Sequence, residues 1–320
     1  MNDLYSPEIS VVIVIPDNLA TIRNTIECLR TQTAKDRMEV VIVAPPADRL
    51  NLNNSVLNDF PRTKAVELGN IESVAWGNAA GVRQATAPVV VLAEYHSYPD
   101  PTWAEALIKS HRQPCAAVGP VVRNANPNSA ISWADLLIGY GPWVDHTPAG
   151  VVSHLPEHNC SYKREILLEY GDKLESMLEA ESALHWDLCS RGFQIYLAPS
   201  AKISHTNFSL LSSWIHVQFL AGRVFAETRS KNWSLIKRLI YLTGSPLIPI
   251  IRFCRTLLEM YKPGRLQNMR FSMKICIFMA LILGLILDGI GQFTGYALGA
   301  GDSKEKLSKY EFHRYRHISL

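Results

Sequence analysis

Glu94 and His96 stand two residues apart at the end of the apolar run PVVVLA, in the stretch VVVLAEYHSYPDPTW. Side chains at i and i+2 of a strand share a face, so a carboxylate oxygen and an imidazole nitrogen at this spacing can reach one ion. Carboxylate with imidazole suits Mn2+ or Zn2+ better than Ca2+, and two ligands alone name no metal. The same pattern also describes a solvated strand end at which Glu94 accepts local hydrogen bonds.

The elements that position this pair follow from the period of the apolar residues. ISVVIVIP from residue 9 and MEVVIVAPP from residue 38 are continuous β-branched runs stopped by proline, the signature of strands covered on both faces. Between them TIRNTIECLRTQT puts Ile22, Ile26 and Leu29 on one helical face, which makes a βαβ unit. KAVELG reads as a short strand, SVAWGNAAGVRQAT as a small-residue helix and PVVVLAE as the next strand. The alternation predicts an α/β fold with a doubly wound, mixed but mainly parallel sheet, and in such sheets ligands bind outside the carboxyl ends of the strands. Further on, PTWAEALIKSH is read as a helix, CAAVGPVV as a strand, 123–158 as a long loop segment near the site, YKREILLEYG and SMLEAESALHWDLCSRG as helices, the second ending on Gly192 as a C′ cap, and FQIYLAPSAKISH as a strand.

The series ISVVIVIP, CLRTQT, EVVIV and GNAAGVRQATAPVVVLAEYHSYPDPTW resembles the family 2 glycosyltransferases, which have the GT-A nucleotide-sugar-binding fold; the likeness covers roughly residues 9 to 208. In that family the strand after the small-residue helix ends in Asp-x-Asp, which holds a divalent ion on the donor diphosphate, and the motif falls on Glu94-Tyr95-His96. The resemblance therefore implies a divalent cation, Mn or Mg, on Glu94 and His96, with His205, at the end of the FQIYLAPSAKISH strand, as a further metal or diphosphate ligand; taken alone, His205 reads as a satisfied strand-end histidine. A Glu-Asp pair opens a later helix of the family. Aligning Leu184 and Gly192 puts Glu181 where the Asp base stands and Ala180 on the preceding Glu, with Glu179 in reserve. LPEHNCSYKREILL resembles the Gly-Asn-x-x-x-Arg-Arg segment bordering the acceptor pocket, which implies His158 and Asn159 at the site mouth and Lys163 and Arg164 opening the next helix on the acceptor side. The other reading of these four is helix capping by Asn159 or Ser161 with ordinary surface charges.

The sequence also departs from the family. Its second strand is followed by Ala44 and Pro45 where an Asp reads the nucleotide base. Asp48 and Asp17 are the substitutes within reach, which with Pro16 and Glu94 makes the expected donor-binding set. An inverting, metal-assisted transfer from a nucleotide-diphospho-sugar to a cell-envelope glycan or lipid-linked acceptor is the leading expectation. A catalytically silent, glycosyltransferase-like scaffold of a polysaccharide assembly system is the alternative, motivated by the lost Asp and the altered Asp-x-Asp. A nucleotidyltransferase shares the sheet and the metal carboxylates, but no Gly-rich phosphate loop follows the first strand.

Composition sets the rest. The net charge of the 320 residues is only +3, yet ten Lys and Arg face the single acid Glu259 between Arg229 and Lys274, beside the apolar runs LIKRLIYLTGSPLIPIIRFCRTLL and ICIFMALILGLIL. Basic residues flanking apolar runs match membrane-surface patterning on anionic lipid. A catalytic domain over 1–210 and a helical, membrane-associating region over 211–320 are expected, at the cytoplasmic face of the cell membrane and with no nucleic-acid partner. The last apolar run is compatible with a transmembrane, re-entrant or interfacial helix, and 235–258 could supply a first crossing. Six scattered cysteines without a C-x-x-C pair fit a reducing compartment, and MNDLYSPEIS lacks the basic-then-apolar pattern of a signal peptide.

Overall fold

The computed structural model describes residues 6–15, 19–46, 57, 59–69, 71, 73–260, 262 and 269–319. The chain divides into two compact units, Met1–Arg123 with Thr147–His205, and Asn124–His146 with Thr206–Leu320.

The first unit carries a mixed sheet. Strands β1 (Ile9–Val14), β2 (Met38–Ala44), β3 (Thr63–Glu67) and β4 (Val89–Ala93) form its parallel part in the order β3-β2-β1-β4. Every residue of β1 and β2 is buried, as their uninterrupted β-branched runs require. Helix α1 (Arg23–Arg30) buries Ile26 and Leu29, and α2 (Val74–Gln84) lies so close to the sheet that a Cβ on Gly77 or Gly81 would strike Val14 or Val12. That close approach is why this helix is built from small residues. At the amino ends of β1 and β2 the buried Glu39 accepts from Ser10 Oγ (2.5 Å), Thr86 N (2.8 Å) and Thr86 Oγ1 (2.8 Å), which ties the two strands to the start of β4.

Beyond β4 the sheet turns antiparallel, through β5 (Ser97–Pro99), β6 (Cys115–Asn124), β7 (Gly150–Val152), β8 (Ser161–Lys163) and β9 (Gln194–His205), in the order β4-β8-β6-β9-β5 with β7 on β9. Helix α3 (Trp103–Ser110) follows β5, and α5 (Arg164–Leu168) follows β8 directly. SMLEAESALHWDLCSRG is two helices, α6 (Leu174–Leu178) and α7 (Glu181–Ser190), with the break at Glu179 and Ala180. The α7 end is closed as expected: Gly192 has φ +86, its N–H reaches Cys189 O, and Phe193 N reaches Leu188 O, the pair of bonds of a Schellman motif.

The second unit is helical. Within 123–158, read above as loop, lies α4 (Ala130–Tyr140), capped by Ser129 Oγ accepting from Ser132 N. It packs with α8 (Leu211–Ser230) and α11 (Phe271–Leu298) around Leu137, Phe208, Trp214, Ile277 and Leu281. Residues 235–258 do not form one long helix: the chain breaks at Ser245–Leu247 between α9 (Leu235–Gly244) and α10 (Ile248–Met260), where Pro246 restricts the backbone. A last helix, α12 (Ser303–Phe312), follows α11.

Candidate active site

The parallel register Ile13↔Ala93 brings β1 and β4 to an end together, and Glu94 is the first residue past β4. Its side chain, 9% exposed, is met by two histidines from different elements. His96 precedes β5, and the antiparallel pairing Ser97↔His205 sets the last residue of β9 beside it. His96 Nε2 and His205 Nε2 lie 3.2 Å apart, His205 Nε2 is 3.2 Å from Glu94 Oε2, and His96 Nε2 is 3.4 Å from Glu94 Oε1. The two histidines face different oxygens of Glu94, and one donor atom from each of the three residues lies within 4.8 Å of the others, so the cluster can gather round an ion with both carboxylate oxygens turned to it. The carboxylate is ionised. Burial alone would push the Glu94 carboxyl up, but the charges of His96, His158 and His205, with a hydrogen bond from His205, hold it well below the usual range.

Two polar residues fix this carboxylate. Asn159 Oδ1 accepts from Glu94 N (3.1 Å) while its Nδ2 donates to Glu94 Oε2 (2.7 Å) and to Ser97 Oγ (3.1 Å), and Ser97 Oγ donates to Glu94 Oε2 (3.1 Å). Asn159 is 1% exposed, so it braces the cluster from inside and does not line a mouth. His158 and Asn159 both adopt left-handed backbone, φ +70 and +57. Asn tolerates this region and His does so less readily, which explains in physical terms why the resemblance places a glycine at 158.

Glu181, the first residue of α7, is 2% exposed. Its Oε1 accepts from His158 N (3.1 Å) and faces His158 Nδ1 (3.3 Å), and its Oε2 accepts from Tyr162 OH (2.7 Å). Tyr162 OH also meets His185 Nε2 at 2.9 Å. Burial holds His185 down to about 3 and, with the negative charge of Glu181, pushes the Tyr162 phenol well above its usual value. Tyr162 is therefore a neutral donor to Glu181, and a neutral His185 completes the chain by donating Nε2–H to the phenol oxygen. Among the described groups touching Glu181, Tyr162 and His185 are buried and the His158 side chain is partly open, at 33%. Adjacent residues thus hold the two carboxylates: Asn159 binds Glu94, and His158 contacts Glu181.

Other expected residues fall elsewhere. Lys163 pairs with Val89, five residues before Glu94, or roughly 17 Å back along the strand. Arg164 donates from Nε to Val82 O (3.0 Å) and from a terminal nitrogen to Arg83 O (3.0 Å), closing the carbonyl end of α2. The acceptor-side expectation for these two is corrected: β8 runs antiparallel to β4, so each step after Asn159 leads away from the site. Glu179, the reserve base, is exposed and accepts from Ser73 Oγ (2.5 Å). Pro16, Asp17 and Asp48 lie outside the described residues. Tyr162, His185 and Ser97 escaped sequence reasoning. For His185 a signal existed, since it follows Glu181 by four residues and so shares its helix face.

A family profile described as "Glycosyl transferase family 2" matches residues 10–171, half of the chain. The chain belongs to glycosyl transferase family 2, and its mixed α/β fold, with a central sheet that is parallel over β3-β2-β1-β4, is of the GT-A type. Similar solved structures include GalNAc-T7 with UDP, GalNAc and Mn2+ (TM-score 0.46, 15% identity, covering 64% of this chain and 44% of that one). Another is S. aureus TarS (TM-score 0.46, 15% identity, 92% of this chain and 55% of that one). The chain thus spans about half the length of each. A search of curated protein sequences found no match.

Proposed function

We propose that the protein is an inverting, metal-assisted glycosyltransferase that moves a sugar from a nucleotide-diphospho-sugar to a cell-envelope glycan or lipid-linked acceptor at a cytoplasmic membrane face. The observation that carries this reading is the pairing of a Glu94–His96–His205 donor cluster with a buried, fully oriented Glu181 across the adjacent residues His158 and Asn159. A divalent cation held by Glu94, His96 and His205 would supply positive charge to offset that developing on the departing diphosphate. Glu181 accepts the proton of the acceptor hydroxyl as that oxygen bonds to the anomeric carbon, while the bond from that carbon to the diphosphate breaks and its electron pair leaves with the phosphate oxygen. The acceptor arrives on the His158 side, because Tyr162 and His185 are buried behind the carboxylate. Tyr162 and the His158 N–H keep both oxygens of Glu181 in place, so little reorganisation is needed at the moment of transfer.

An intact polar site favours catalysis over a silent scaffold, since a disused site has no reason to keep three ligand-type residues within 4.8 Å of one another and a separately braced carboxylate beside them. Membrane association rests on the basic apolar tail and on α11, which is long and apolar enough to cross a membrane. The test is thermal unfolding with Mn2+ alone and with a panel of nucleotide-diphospho-sugars, alongside sugar transfer or donor hydrolysis. Ligands that bind the native state raise the midpoint. Glu94→Gln and His205→Gln abolish the Mn2+ response, whereas Glu181→Gln keeps it and loses turnover by about 10²–10⁴-fold. A wild-type protein that responds to no ligand of the panel sinks the reading.

A further inference from the structure

From the packing of the second unit we infer that the chain attaches to an anionic lipid surface lying in the plane of the interface, through the outward faces of α9, α10 and α11, and that α11 does not cross the bilayer. The inference rests on the membrane association proposed above and specifies its form. Helix α11 has two unlike faces. Ile275, Met279, Ile286, Ile290 and Phe293 recur at spacings of three, four and seven and are exposed, making one apolar stripe about 27 Å long at 1.5 Å per residue. The opposite face is locked to α8 backbone to backbone: a Cβ on Gly291 would fall on the Phe219 carbonyl, one on Gly295 on the Arg223 carbonyl, and one on Gly222 on the Asp288 carbonyl.

That lock decides the orientation. Helix α8 carries Arg223 and Glu227, with Arg223 Nε donating to Gly299 O (2.8 Å) and Glu227 pairing with Lys304 (3.2 Å). Asp288, on the inner face of α11, pairs with Arg252 of α10 at 2.5 Å. A crossing by α11 would draw these charges to bilayer depth, where they are costly. Lying flat, the helix buries only its outer stripe and leaves α8 on the aqueous side.

The stripe has neighbours of the same kind. Ile236 and Ile240 on α9 and Ile251 and Leu258 on α10 are exposed, and both helices border α11 through Tyr241–Tyr296 and Phe253–Phe278 ring contacts. Exposed cations accompany them at Lys231, Lys237, Arg255 and Arg270. Aliphatic residues and Phe interspersed with cations complement the acyl boundary and headgroups of an anionic leaflet, the stem of a cation such as Arg255, between Ile251 and Leu258 on one face of α10, reaching up to the headgroups.

The test uses the full chain with phosphatidylcholine vesicles, with and without phosphatidylglycerol. Fluorophores on Met279→Cys, Ile286→Cys and Phe293→Cys, each in a protein carrying Cys254→Ser and Cys276→Ser because those two thiols are exposed, are read against lipids brominated at shallow and deep positions. The expected result is equal, shallow quenching at all three sites on phosphatidylglycerol vesicles. Met279→Glu/Ile286→Glu should bind about 100-fold more weakly with the Mn2+ midpoint response intact. Deep quenching at 286 with shallow quenching at 279 and 293 overturns the in-plane form and leaves membrane association standing. No quenching on either vesicle, or a soluble dimer that protects the three sites, overturns both. Neither result touches the transfer chemistry, which is read by the Mn2+ response and turnover.

Discussion

Tyr162 governs the proposed base through its hydroxyl, which donates to Glu181 Oε2 at 2.7 Å. Removing that hydroxyl leaves a buried carboxylate oxygen and the His185 Nε2 without their shared partner. A buried polar group stripped of its bond costs about 1–3 kcal/mol. Tyr162→Phe is therefore expected to lower the unfolding midpoint and to reduce kcat more than KM, while the Mn2+ response persists, because the Glu94 cluster is braced separately by Asn159 and Ser97. A Tyr162→Phe protein with unchanged kcat would show that Glu181 needs no positioning. The i, i+2 spacing singled out Glu94 and His96, but the chain turns between Glu94 and Ser97, whose N–H reaches Glu94 O. This turn and not a shared strand face brings their side chains together, and His205, 109 residues from His96, joins them through the pairing of two strands. No local pattern encodes that meeting, and the resemblance alone supplied it.

At the scale of elements, apolar runs of five residues or more were legible and three-residue strands were not. Strands β1, β2, β3, β4, β6 and β9 could be read from their runs, but β5, β7 and β8 have three residues each, too few to show a period, so the antiparallel pairing that joins β4 to β6 and β9 was hidden. Helix α4 was lost among Asn, Pro and Gly on either side, although its Ser129 cap was a usable start signal. Packing of elements also sets an acid limit. Burial holds His111, at the end of α3, down to about 4 and His185, on α7, to about 3, against an ordinary 6.5; Lys163 adds to the first shift and His154 to the second. The unfolded chain then binds more protons than the folded one across this window, so this stability is complete above pH 6.5 and is lost as pH falls toward 4 and then 3. Each histidine contributes up to about 1.4 kcal/mol per pH unit. Midpoints measured from pH 7.5 to 4.5 should fall steadily, and His185→Gln, which keeps a donor for Tyr162, should flatten the slope. An equal slope in wild type and variant would place the titrating group elsewhere.

At the scale of the whole molecule, the chain leaves the first unit at Arg123, builds α4 in the second, and returns at Thr147. A cut placed by composition near residue 210 therefore does not separate the two units. It strands α4, whose Ala134 and Leu137 are buried against Phe208, Trp214 and Leu281 of segments the cut removes. Each apolar side chain so exposed forfeits about 1.5–3 kcal/mol of burial if large, and a contiguous apolar helix face left in water promotes association. A protein ending at His205 is accordingly expected to aggregate on size exclusion, whereas the same fragment carrying Ala134→Glu and Leu137→Glu should elute as a monomer. If the first unit forms the proposed ion site by itself, that rescued fragment shows the Mn2+ midpoint shift expected of the full chain, since Glu94, His96, His205, Asn159 and Ser97 all belong to it. A monomeric unmodified fragment would show that α4 finds its burial without the C-terminal helices, and a rescued monomer deaf to Mn2+ would show that the cluster depends on more than the first unit.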